Sequence, residues 1–261
     1  MGTSYRYLHV EERGDVLLAT IRREEKLNAM NDELMAELTD CFEGLRERPD
    51  IRTVVLTGTG KGFMAGADIE GYGGFDVGQF FAFQQKGREM YRAIESCPQP
   101  VVAAVNGYAL GGGFELVLSC DLVVASERAK FGLPEVKLGL VPGGGGVQKL
   151  ARIVGPFFAR ELTMTGRFVA AQEGKALGFV NEVTEPDRLL DAALTLARTI
   201  ADQAPLAVQG LKRLIHDGRD ASLETAQAYD RAYLANLFHS EDGREGIAAF
   251  REKRPAKFIG R

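Results

Sequence analysis

Three short apolar runs limit the fold more than any other feature of the chain. Residues 53–57, Val101–Val105 and 122–125 have strand length, and segments with apolar residues at helical spacing stand between them. Strand, helix, strand, helix, strand in that order implies right-handed crossovers and largely parallel pairing. The chain therefore reads as α/β. Residues 5–12 and 16–21 alternate apolar and polar side chains around Arg13-Gly14-Asp15, which predicts a hairpin. Residues 31–46 carry Leu34, Met35, Leu38, Phe42 and Leu45 on one helical face, with Asn31 as N-cap. A second helix over 77–96 is stopped by Pro98 and Pro100. Residues 58–74 read as a glycine-rich loop. After Pro142 helices dominate, at 148–153, 156–163, 171–177, 186–201, 205–217, 221–238 and 241–253, with a short strand at 179–183. No repeat of 20–50 residues is visible. Two regions follow: a core over 1–186 and a helical layer over 187–261. The layer is too thin for a core of its own, so it packs on the first region or on a neighbouring subunit.

Composition removes several function classes. With 45% apolar and 26% charged residues and a net charge of −4, the 261-residue chain has no basic field for nucleic acid or an anionic membrane. No apolar run approaches the length of a transmembrane helix. The start shows no signal peptide, and Arg6 breaks the myristoylation pattern after Met1-Gly2. Cys41, Cys97 and Cys120 have no CxxC spacing, and His9, His216 and His239 lie far apart. The expectation is a cytoplasmic protein with reduced thiols, no metal and no partner among nucleic acids or membranes.

Four segments carry chemistry. In the first, Val101–Val105 runs toward Gly111-Gly112-Gly113, and a short apolar helix follows with Glu115 in its first turn. Glycine lets N–H groups approach a ligand closely, and a helix N-terminus aims unpaired N–H groups outward. Such a turn also serves packing alone, so the other segments decide. The second, Gly66-Ala67-Asp68, offers another N–H with little side chain in the way. Donors from Ala67 and Gly112 on one carbonyl oxygen would be worth roughly 3–4 kcal/mol each as that oxygen becomes an enolate. The third is Phe131-Gly132-Leu133-Pro134-Glu135, which sets a second carboxylate in an apolar stretch. Two carboxyls in one apolar pocket resist joint ionisation, which leaves one acid and one base. Alone, Glu135 would read as a solvated turn residue. The fourth, Gly143–Gly146, opens a helix and offers N–H groups to a water or an anion, without the Lys-Ser/Thr ending of a P-loop or the GxGxxG of a dinucleotide fold.

In this order and spacing the four segments resemble the crotonase (enoyl-CoA hydratase/isomerase) superfamily. Leu27-Asn28-Ala29-Met30-Asn31, Gly62-Phe63-Met64-Ala65-Gly66-Ala67-Asp68-Ile69 and Asp242-Gly243-Arg244-Glu245-Gly246 add to the match. The resemblance implies a β-β-α spiral core, a C-terminal helical trimerisation region, and trimers or dimers of trimers. It implies an acyl-CoA thioester as substrate, with coenzyme A part of that substrate and no separate cofactor. The carbonyl would sit between the N–H groups of Ala67 and Gly112. Glu115 would activate water, Glu135 would exchange the proton at the α carbon, and Gly143 would help to hold the water. Coenzyme A would lie along Lys26, Leu27, Ala65, Asp68 and Ile69, with Phe250 and Lys253 reaching it from a neighbouring subunit. The implied reaction is reversible syn hydration of a trans-2-enoyl-CoA to a 3-hydroxyacyl-CoA. An isomerase or specialised acyl-CoA dehydratase on the same scaffold, and a non-catalytic RNA-binding or scaffold relative, are the alternatives. Val147 and Lys149 stand where many hydratases have Thr and Arg, and Glu70-Gly71-Tyr72-Gly73-Gly74 departs from the usual acyl-pocket wall.

Overall fold

The structure, a computed structural model, describes residues 5–261. The hairpin forms as its alternation requires: β1 (Leu8–Arg13) and β2 (Val16–Ile21) pair antiparallel. The first strand begins at Leu8 rather than at residue 5. The reason is that the Arg6 and Tyr7 N–H groups donate to Glu37, and the Tyr5 hydroxyl donates to Asp40, both on the next helix. That helix, α1 (Asp32–Gly44), is capped by the Asn31 side chain, which accepts from the Leu34 N–H at 2.9 Å.

Three strand–strand–helix units follow. The first comprises β3 (Thr53–Gly58), β4 (Gly62–Met64), a one-turn α2 (Ile69–Tyr72) and the long α3 (Val77–Glu95). In the second, β5 (Val101–Val105) and β6 (Tyr108–Leu110) lead into α4 (Gly112–Val117). The third has β7 (Leu122–Ser126), β8 (Lys130–Gly132) and α5 (Gly146–Thr165), the last bent at Gly155-Pro156. In each unit the first strand joins one sheet and the second strand joins another. With β9 (Val169–Ala170), α6 (Ala171–Ala176) and β10 (Glu182–Thr184), the larger sheet has the order β1-β2-β3-β5-β7-β10 and the smaller β4-β6-β8-β9. All pairings are parallel except β1–β2 and β8–β9. This is the β-β-α spiral that the resemblance implied. The smaller sheet falls partly in the stretch read as loop.

Both faces of the larger sheet are buried, which is why its central strands are apolar throughout. Val54, Leu56, Ala103 and Val105 face the interior between the sheets, with Phe42, Phe63, Phe114 and Phe131. Val16, Leu18, Val55, Val102 and Val124 face the other way and are covered by Leu189, Ala193, Leu194 and Ala197 of α7 (Leu189–Ala201). α7 is therefore a layer over the larger sheet. The helices beyond it are α8 (Pro205–Gly218), α9 (Leu223–Phe238) and α10 (Glu241–Glu252), with α8 and α10 packing on α9. The strand expected at 179–183 is shifted to 182–184, since the Phe179 and Val180 N–H groups turn back onto the Gly174 carbonyl. The Phe179 ring then stacks with Phe114 and Phe131, all three centroid distances lying between 5.2 and 5.5 Å. Among the described residues no helix is long and apolar enough to cross a membrane.

Candidate active site

Strands β4, β6 and β8 are adjacent and parallel, so their C-terminal ends open on one edge of the smaller sheet. Each end delivers one piece of a site. β4 leads into Ala65–Asp68, β6 into Gly111–Glu115, and β8 into the 3-10 turn Pro134–Leu138 that carries Glu135.

The first two ends present free amides. Ala67 forms an isolated parallel bridge with Met30: the Met30 N–H donates to the Gly66 carbonyl and the Asp68 N–H to the Met30 carbonyl, each at 2.8 Å. In that pattern the Ala67 N–H points away from Met30, and it has no acceptor among the described residues. Gly112 is the first residue of α4, and its N–H is also without an acceptor. The Gly111 N–H donates to the Gly132 carbonyl at 2.8 Å, which fixes this turn against β8. Two unpaired donors at the ends of neighbouring strands suit an oxygen that gains negative charge.

The carboxylates flank the same turn. Glu115 is 4% exposed, and its Oε1 accepts the N–H groups of Gly144 and Gly146, each at 2.8 Å. The glycine run thus binds an anion as its composition suggested, and the anion is the chain's own glutamate. The Gly143 N–H makes no bond among the described residues. Burial pushes the Glu115 carboxyl up, while the Gly146 and Gly144 amides and Lys149 pull it back toward the ionised form. Glu135 lies over the hole turn: its Oε1 is 2.9 Å from where a Cβ on Gly111 would stand, and its Oε2 is buried with no partner among the described residues. Desolvation, offset in part by its own backbone amide and reinforced by the charge of Glu115, raises this carboxyl to about 7. Both carboxyls are thus held above their ordinary range, and Glu135 keeps its proton up to about pH 7.

The expected coenzyme A residues form one strip. The segment from Lys26 to Met30 runs beside Ala65 to Ile69, joined by the Ala65 N–H to the Leu27 carbonyl (3.1 Å) and by an ion pair between Lys26 and Glu70. Leu27 and Ile69 are exposed along it. The Asp68 carboxylate is engaged by Arg23 at 2.5 Å, so what it offers a ligand is main chain. Phe250, 85% exposed on α10, and Lys253, at the end of that helix, make no hydrogen bond or ion pair with the strip or the glutamates of the same chain.

Sequence reasoning missed the residues behind the glutamate. Lys149, noted only as a departure, pairs with Glu95 and donates to the Ser119 hydroxyl at 2.7 Å, and that hydroxyl donates to the Glu115 carbonyl at 2.7 Å. Tyr91, buried in α3, donates to the Gly112 carbonyl at 2.9 Å. Its signal was a hydroxyl on the otherwise apolar face of Phe83, Met90 and Ile94.

Comparison with known proteins identifies the family of the chain. The enoyl-CoA hydratase/isomerase family model matches residues 11–261. A short-chain-enoyl-CoA hydratase of Clostridium acetobutylicum is 39% identical over 94% of this chain and 94% of its own. A 2,3-dehydroadipyl-CoA hydratase of Escherichia coli is 37% identical over 97% and 99%. The crystal structure of an enoyl-CoA hydratase from Bacillus anthracis superposes with a TM-score of 0.96 at 36% identity, covering 98% of this chain and all of that one.

Proposed function

Because the chain belongs to the enoyl-CoA hydratase/isomerase family, we propose that it is a hydro-lyase that adds water syn and reversibly across a trans-2-enoyl-CoA, giving a 3-hydroxyacyl-CoA. One observation carries this reading: a buried carboxyl held by two main-chain amides and a half-buried carboxyl raised to about 7 flank a pair of unpaired amides. The thioester oxygen lies between the Ala67 and Gly112 N–H groups, which stabilise the enolate that forms as water adds. Ionised Glu115, held by two amides, takes a proton from the water, and the Gly143 N–H steadies that water. Protonated Glu135 gives its proton to the α carbon. The pair ends with the proton on Glu115, ready for the reverse reaction. Coenzyme A enters and leaves with the substrate, along Lys26, Leu27, Ala65, Asp68 and Ile69. Relatives of nearly equal identity are named for short-chain and for dicarboxylic acyl groups, so the scaffold fixes the chemistry and leaves the acyl group to the pocket wall. The reaction fits fatty-acid β-oxidation in the cytoplasm, consistent with three free thiols, each made less acidic by burial.

The test is hydration of crotonyl-CoA in D₂O. The expected product is 3-hydroxybutyryl-CoA with one deuterium at the α carbon. A moved double bond with no added water would make the protein an isomerase instead. The pH profile gives a second check. The active form holds one proton on the pair, so kcat/KM should be bell-shaped and should fall as pH rises through about 7, where Glu135 loses its proton. The acyl part titrates in neither substrate nor product and the coenzyme A part is common to both, so hydration and dehydration must share the same limbs. A profile that stays flat through the upper limb would remove Glu135 as proton donor.

The same reading supports a homotrimer or dimer of trimers. Phe157, Phe158 and Met164 on α5, Ile215 on α8, Leu234 on α9 and Phe250 on α10 are exposed apolar side chains in need of cover. Sedimentation at micromolar concentration should give the mass of three or six chains. A monomer would rule out Phe250 and Lys253 as contacts to a neighbour's coenzyme A.

A further inference from the structure

We propose that Tyr91 is a positioning residue that ties the oxyanion hole to the glutamate that activates water. The inference rests on the hydratase reading of the site. Tyr91 is 4% exposed, and its hydroxyl donates to the Gly112 carbonyl at 2.9 Å, with the Met30 sulfur 3.6 Å away. Gly112 supplies a hole donor through its N–H, so a bond to its carbonyl fixes the other end of that residue. Met30 is the bridge partner of Ala67, the second donor. The Tyr91 ring packs against the main chain of Gly144, whose N–H holds Glu115, and the Lys149 ammonium lies 5.5 Å from the ring centroid. One side chain thus touches the Gly112 turn and the Gly144 loop directly and reaches the Ala67 segment through Met30.

The electrostatics agree with this placement. Burial first, and then the charges of Glu115 and Glu135, push the phenol well above its ordinary range, so it stays a donor at every working pH. Its presence in turn favours ionised Glu115. A buried hydroxyl that only filled space would need no acceptor on the residue that carries the hole amide. The phenol does not exchange protons with substrate. It adds a side-chain restraint to a glycine in the first turn of α4.

The experiment compares the wild type with Tyr91→Phe, which keeps the ring and its packing. Three readouts separate positioning from mere structure. Hydration kcat should fall roughly tenfold with KM within about twofold, since the lost interaction acts on the enolate. The near-ultraviolet enolate absorbance of a saturating 3-ketoacyl-CoA should weaken, because the hole stabilises that enolate directly. The thermal midpoint should move little. Unchanged kcat together with an unchanged enolate band overturns the proposal, and so does a loss confined to KM or to thermal stability. If the wild type fails to hydrate any enoyl-CoA, the hydratase reading falls, while the enolate band still tests Tyr91 against the hole. Should Tyr91→Phe not fold, 3-fluorotyrosine at position 91 keeps the shape and donates more strongly. The enolate band should then grow, and an unmoved band overturns the assignment.

Discussion

Glu115→Gln and Glu135→Gln should each lower hydration turnover by at least roughly a hundredfold, toward ten-thousandfold, while the protein stays folded and still binds acyl-CoA. The two losses have different origins. In Glu115→Gln the amide oxygen still accepts the Gly144 and Gly146 N–H groups that now hold Oε1 at 2.8 Å. The loop therefore keeps its place, and only the base is gone. In Glu135→Gln the amide has no proton of carboxylic acidity to give to the α carbon. The double variant should be little worse than either single one, since the reaction needs one acid and one base and removal of either breaks the relay. Steady-state loss of the conjugated enoyl absorbance gives all three rates. If both single variants retained more than about a tenth of wild-type turnover, the acid/base assignment would be wrong.

Much of this site was legible in the chain because its pieces are short and chemically unusual. A glycine triplet ahead of a lone glutamate, and Pro134-Glu135 in apolar surroundings, have few explanations, and both carboxyls lie beside the same glycine turn. The helices were equally plain, since α1 and α3 carry long amphipathic patterns and side-chain caps. The smaller sheet was not legible. Its strands, such as Gly62–Met64 and Lys130–Gly132, are three residues or fewer, too short for alternation to declare a face. Yet these strands aim the catalytic loops. The repeat was hidden for a related reason. The three strand–strand–helix units enclose loops and helices of very different length, from the short α4 to the twenty-residue α5. The partners of the fourth segment were also beyond reach. That Gly144 and Gly146 serve Glu115 requires residues 29 and 31 positions apart to meet, and no local pattern encodes such a contact.

The second large effect should come from a residue that touches no substrate. Gly113→Ala should reduce kcat/KM by more than roughly a thousandfold and also lower stability. A Cβ on Gly113 would stand 1.8 Å from the Met64 carbonyl oxygen and 2.6 Å from its carbon. Both are backbone atoms that cannot turn aside, so β4 and α4 must separate by about 1.5 Å to reach ordinary contact. Gly112, a hole donor, is the preceding residue, and Ala67, the other, lies three residues beyond Met64. The displacement therefore falls on both donors at once, and a misplacement near 1 Å already costs about a hundredfold. Overpacking of this kind costs typically 1–3 kcal/mol and occasionally more, which thermal unfolding will register. Gly218→Ala on α8 is the control, because its added Cβ meets only the Ala226 Cβ at an ordinary 3.5 Å and activity should be unchanged. Hydration by Gly113→Ala within tenfold of wild type would mean that the two loops are not clamped together through this contact, and that the spacing of the hole is set elsewhere.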